Sequence, residues 1–170
     1  MNRRTFLRRS ATSCAALGTA ALGGSARAAD AEPGYFDIHT HLGMEWGDRP
    51  ALGVEEMLRW MDRNGVAGAA VLPLISPEAW DHPISTDYVL KQTAPHRDRL
   101  APFCSIDPRT INIGSYALKV KLLQRYRDAG ARGFGEHKPG VAIDDPRNVE
   151  LFAAAAEVGR EIRIVGNDGG

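Results

Sequence analysis

Hydrophobic residues fall along this chain in two alternating rhythms. Short apolar runs occur at Tyr35 to His41, Ala67 to Leu74, Leu100 to Ile106 and Ala131 to Lys138. Runs of this length, closed by Pro73 or Asp107-Pro108, predict strands buried on both faces. Between them the apolar positions move to helical spacing. Val54, Met57, Leu58 and Met61 predict a helix stopped by Asn64-Gly65, and a weaker helix is expected over about Ser85 to Ala94, ahead of Pro95. The longest helix is expected from near Ile113 to Ala129, with Tyr116, Val120, Leu123 and Tyr126 along one side and Gly130 as its stop. Asp145-Pro146 opens another, Asp145 as N-cap and Pro146 at the first helical position, carrying Leu151, Phe152, Ala155 and Val158 as far as Gly159. A last strand is expected over Glu161 to Val165.

Strand and helix thus alternate about five times, which predicts an α/β fold with a parallel sheet and crossover helices. A closed (β/α)8 barrel takes about 250 residues. This chain has 170, leaving room for four to five strand-helix units: an open doubly wound sheet or an incomplete TIM-type barrel.

The leading stretch changes which residues belong to the fold. Arg3-Arg4-Thr5-Phe6-Leu7 is a twin-arginine pattern, a modest Ala/Leu/Gly region follows, and Ser25-Ala26-Arg27-Ala28 supplies a cleavage site. Residues 1–28 are therefore expected to be a signal peptide read by the twin-arginine export machinery, and residues 29–170 one domain, periplasmic or secreted. The apolar region is too short and too glycine-rich to span a membrane, so no stable membrane anchor is expected. The zero net charge of the whole chain is misleading here. Five of its 21 basic residues lie in the signal and all 21 acidic residues beyond it, so the domain is mildly acidic and has no basic patch for nucleic acid. Of two cysteines only Cys104 lies beyond the signal, in an apolar run that marks it as a buried core thiol rather than a nucleophile.

The chemistry gathers at Asp37-Ile38-His39-Thr40-His41. Residues two apart on a strand share a face, so His39 and His41 present two imidazoles side by side, with Asp37 one step deeper. Neutral imidazoles at a strand end suit a divalent metal, and barrels build their sites at the C-terminal ends of strands. On the fourth strand, Glu136 and Lys138 share a face and His137 points away. Glu136 is either a site residue or one partner in a surface ion pair with Lys138 or Arg132. His82 and His96 lie in loop settings where solvent exposure is the default. Trp46 is a pocket wall or a loop anchor, and Asp107 is read as a cap for the next turn.

These residues, with Gly65-Val66 before the second strand and Gly133-Phe134-Gly135-Glu136-His137-Lys138-Pro139 on the fourth, resemble the amidohydrolase superfamily over about residues 35 to 159. Within it the chain resembles the amidohydrolase-related metal-dependent hydrolases, which include lactonases for pyrone dicarboxylates and aminocarboxymuconate-type decarboxylases. The resemblance implies a barrel whose first-strand histidines, here His39 and His41, bind a divalent metal, commonly zinc, with a fourth-strand carboxylate (Glu136) or carboxylated lysine as a further ligand. It implies hydrolysis of a C–O or C–N bond in a small carboxylated or cyclic molecule, or decarboxylation. The family also expects later histidines and an aspartate general base, and no histidine follows His137. Together with the charged stretch Arg160 to Ile164, this predicts an N-terminal portion of such an enzyme, its frame lost near Gly159 or the gene truncated there. The alternative expectation is an inactive fragment or a metal-binding module without turnover.

Overall fold

A computed structural model of the chain describes residues 34–43, 48–79, 82–111, 114–159 and, as backbone, 163–166. The expected signal peptide and Trp46 lie outside these residues. Strands β1 (Tyr35–Thr40), β2 (Val66–Val71), β3 (Leu100–Cys104), β4 (Gly133–His137) and β5 (Arg163–Gly166) form one parallel sheet in sequence order. Helices α1 (Val54–Asn64), α2 (Thr86–Thr93), α3 (Tyr116–Asp128) and α4 (Pro146–Val158) cross between them. The result is part of a TIM-type barrel, a curled and open parallel sheet with its helices outside. None of the helices among the described residues is long and apolar enough to cross a membrane.

The local signals act as expected, with small shifts. Helix α1 has Glu55 and Glu56 in its first turn and Arg63 in its last, which suits the helix dipole. It stops at Gly65, whose φ of 68° is left-handed and whose N–H returns to the Met61 carbonyl. Ser85 caps α2 by accepting from the Tyr88 N–H at 3.1 Å, and Asp145 caps α4 by accepting from the Arg147 N–H at 2.9 Å. Helix α3 is not the single longest; it and α4 each have 13 residues. Strand β2 ends at Val71, three residues early, and Leu74 pairs with Ile84 across the base of the next loop.

Two apolar clusters sit between sheet and helices. One joins α1 to β2 and the start of β3 through Met57, Met61, Val66, Val71 and Leu100; the other joins α3 and α4 to β3 and β4 through Cys104, Leu123, Phe134 and Leu151. Ala70, Leu72 and Phe103 form a third, smaller group. Its Phe103 ring lies so close to Gly133 that a Cβ there would come within 2.4 Å, so β4 must begin with glycine. At the other margin β1 pairs only with β2 among the described strands and leaves Tyr35 80 % and Ile38 63 % exposed. An apolar edge of this kind is prone to self-association.

Cys104 is fully buried, and burial pushes its thiol up to about 12. Iodoacetamide at pH 8 is therefore expected to leave it unmodified in the folded chain and to alkylate it after denaturation. Rapid alkylation of the folded protein would contradict this packing.

Candidate metal centre

The site sits where β1 and β4 end. Thr40 Oγ1 donates to the Ala70 carbonyl at 2.6 Å, and the Leu72 N–H donates to the Thr40 carbonyl at 2.8 Å, which fastens the last residue of β1 to β2. His41 follows at once. Its Nδ1 lies 2.9 Å from the Leu72 carbonyl oxygen, and since a carbonyl only accepts, Nδ1 carries the proton. Nε2 of the neutral ring then holds a free lone pair pointed into the site. Burial lowers the His41 pKa against the opposing pulls of the Leu72 carbonyl and Glu136, which favours that neutral form. A backbone carbonyl fixing the remote nitrogen is the usual support of a metal-bound histidine.

Glu136 arrives from β4, 97 residues along the chain from His39. The Ser105 hydroxyl, at the end of β3, donates to its carbonyl at 3.1 Å and holds this part of the strand in place. The Glu136 side chain is only 5 % exposed, while the ring of His39 is 43 % exposed and that of His41 25 %. Glu136 Oε2 lies 3.1 Å from His39 Nε2 and 3.2 Å from His41 Nε2, and the two Nε2 atoms are 3.2 Å apart. Ligands about 2.0–2.1 Å from a common ion lie about 3.0 Å apart in an octahedron and about 3.4 Å in a tetrahedron. The three atoms thus form one face of either polyhedron.

Protons alone satisfy this triangle poorly. The lone pair of His41 Nε2 faces a carboxylate oxygen at hydrogen-bond distance, and two acceptors in that position repel unless a cation lies between them. Two imidazoles and a carboxylate are a donor set suited to zinc and related divalent ions. Among the described residues, these three are the only group of three or more His, Cys, Asp or Glu side chains that could hold a metal.

The other sequence candidates are placed as follows. Asp37 does not join the group; its Oδ1 accepts from the His39 backbone N–H at 3.0 Å, where β1 departs from regular register. Lys138 Nζ stands 3.9 Å from the second oxygen of Glu136, so the carboxylate serves both the histidines and this ion pair, and it is buried rather than on the surface. His137 points away, as expected. Its ring packs between Phe134 and Phe152, and Nε2 donates to Asn148 Oδ1 at 2.9 Å, tying β4 to α4. His82 and His96 are half-buried rather than exposed, and His82 lines a cavity beside His41.

Asp107 is the cap it was expected to be, accepting from the Arg109 N–H at 2.8 Å, but it is also one side of a clamp that the sequence pattern did not show. The Arg109 guanidinium reaches Asp107 Oδ2 at 2.6 Å and both oxygens of Glu78 at 2.8 and 2.7 Å. Glu78 Oε1 in turn accepts from the Gly140 N–H at 2.8 Å. One guanidinium therefore links the loops after β2, β3 and β4.

No protein-family model matches the sequence, and no curated protein matches it. Solved structures do match the fold. One is a probable 2-pyrone-4,6-dicarboxylic acid hydrolase from Acinetobacter baumannii, solved with citric acid bound: TM-score 0.51, 12 % identity, covering 74 % of this chain and 46 % of that one. Another is 5-carboxyvanillate decarboxylase from Sphingomonas paucimobilis: TM-score 0.53, 15 % identity, covering 75 % and 50 %. The chain spans about half the length of these structures. At such identities the likeness establishes the fold, in agreement with the partial barrel described above.

Proposed function

We propose that the chain is the metal-binding part of an amidohydrolase-type enzyme, and that His39, His41 and Glu136 hold a divalent ion, zinc by preference. The reaction is hydrolysis of a C–O or C–N bond in a small carboxylated or cyclic molecule, with decarboxylation as its close variant. The observation that carries this reading is the triangle of two Nε2 atoms and one carboxylate oxygen with sides of 3.1–3.2 Å. Bound there, the ion would supply Lewis acidity, polarising a substrate oxygen and lowering the pKa of water. The chain's own contributions are definite. The Leu72 carbonyl holds the His41 ring with Nε2 aimed inward, Glu136 brings the anionic charge, and the half-exposed His39 leaves the open side toward solvent and substrate. The twin-arginine signal supports export to the periplasm or beyond.

One observation favours a second reading, a metal-binding module without turnover. Among the described residues no fourth His, Cys, Asp or Glu side chain joins these three as a metal ligand. A panel of lactones, esters and aromatic carboxylates, assayed with zinc-loaded full chain, separates the two. Zinc-dependent turnover that disappears in His41→Ala is expected for the enzyme. Stoichiometric zinc without turnover of any member favours the module.

A further inference from the structure

Glu136 lies beyond the regular ladder of its strand. The pairing of β3 with β4 ends at Cys104 and Phe134, two residues before it. On the other side the β4–β5 register shifts between Phe134 and His137. Regular pairing therefore does not fix the height at which the carboxylate stands, yet a metal site holds its ligand distances to about ±0.2 Å.

Two buried hydroxyls take over where the ladder stops. Ser105 follows directly on β3, and its hydroxyl donates to the Glu136 carbonyl at 3.1 Å. A serine hydroxyl has one proton, and this bond uses it. Ser105 is in turn gripped by Thr86, the first residue of α2. The Ser105 N–H donates to Thr86 Oγ1 at 3.1 Å, and Thr86 Oγ1 donates to the Ser105 carbonyl at 3.4 Å. Both residues are only 3 % exposed, and Cys104 and Ile106 on either side of Ser105 belong to the apolar core. Helix α2 is itself anchored by the buried Val89 and Leu90.

Hydroxyls buried in such surroundings cost free energy unless they are hydrogen-bonded, and alanine and valine would fill the same places without that cost. What the hydroxyls add is a connection. It runs from a packed helix, across the end of β3, to the backbone of Glu136.

We propose that Ser105 and Thr86 are positioning residues of the metal centre. Thr86 fixes Ser105, and the Ser105 hydroxyl fixes the Glu136 backbone so that Oε2 stands 3.1–3.2 Å from both Nε2 atoms. The inference rests on the reading of His39, His41 and Glu136 as a metal centre. Neither hydroxyl touches the ion.

Zinc affinity of the full chain, measured by competition with a chromophoric chelator, tests this. Ser105→Ala is expected to lower it about tenfold, the low end of what losing a support behind a metal ligand costs. Thr86→Val should weaken zinc in the same direction, Thr86→Ser should restore it, and the double variant should fall no further than Ser105→Ala, because Thr86 acts through Ser105. The visible d–d bands of the cobalt-loaded chain should shift in Ser105→Ala and Thr86→Val and return in Thr86→Ser, which general loss of stability would not produce. Should Ser105→Ala not fold, the Thr86 pair carries the same test. Folded variants with native zinc affinity and native cobalt bands would overturn the proposal, and so would losses that add in the double variant. A native chain that takes up no zinc overturns the metal reading instead. The positioning is then read in the metal-free chain from the imidazole resonances of His39 and His41, which face Glu136. Their shift in Ser105→Ala supports it, and unchanged resonances overturn it.

Discussion

Glu136→Gln is expected to lower the zinc affinity of the full chain by about 100-fold or more. The amide keeps the size of the carboxylate and one acceptor oxygen, so the buried end of β4 should survive the change. What it removes is the negative charge, the only one in the triangle, on an atom 3.1–3.2 Å from both Nε2 atoms. Losing even an outer hydrogen-bond partner of a metal site typically costs 10–100-fold. Losing the charge of a direct ligand costs more, and about 100-fold corresponds to about 2.7 kcal/mol. Competition against a chromophoric chelator measures it. Unchanged affinity would reduce Glu136 to the partner of Lys138, the ion-pair role that its sequence position also allows.

The second large effect is on stability. Arg109→Met should destabilise the fold by about 2–4 kcal/mol, because Asp107 is only 2 % exposed and would keep its charge without a cation beside it. The lower end allows for the partial exposure of Arg109 and for the backbone N–H that Asp107 retains. The pH dependence follows from the same clamp. Hydrogen bonds from Arg109 hold the Glu78 carboxyl down from its ordinary 4.5 to about 2. A carboxyl depressed in the folded state stabilises fully above its unfolded pKa, and the contribution fades as pH falls through the folded value. The native chain should therefore lose melting temperature between about pH 4.5 and 2, and Arg109→Met should show a flatter slope there. Equal slopes in thermal scans across that window would show that the clamp contributes nothing.

How much of this could be read from the sequence depended on distance along the chain. His39 and His41 were legible because the period of a strand fixes their relation and nothing remote can alter it. Their meeting with Glu136 followed from one further rule, that successive strands of a parallel sheet all end on the same side. Asp37 went elsewhere because β1 breaks register between Asp37 and Thr40, a defect with no local signature. The Glu78–Arg109–Asp107 clamp spans two loops whose paths no periodicity predicts. Lys119 is a different case. It falls on the same helical stripe as Tyr116, Val120 and Leu123, and is fully buried with its Nζ 2.6 Å from Glu150 of α4. A charge on an apolar stripe was the available signal of a buried ion pair between the two helices.

The central claim is that His39, His41 and Glu136 share one divalent ion. Anomalous diffraction at the zinc edge, from crystals of the full chain grown with equimolar zinc, tests it most directly. One peak about 2.0–2.2 Å from His39 Nε2, His41 Nε2 and a Glu136 oxygen is the expected result. A map with no peak among these three atoms, or with zinc bound only elsewhere, would contradict it.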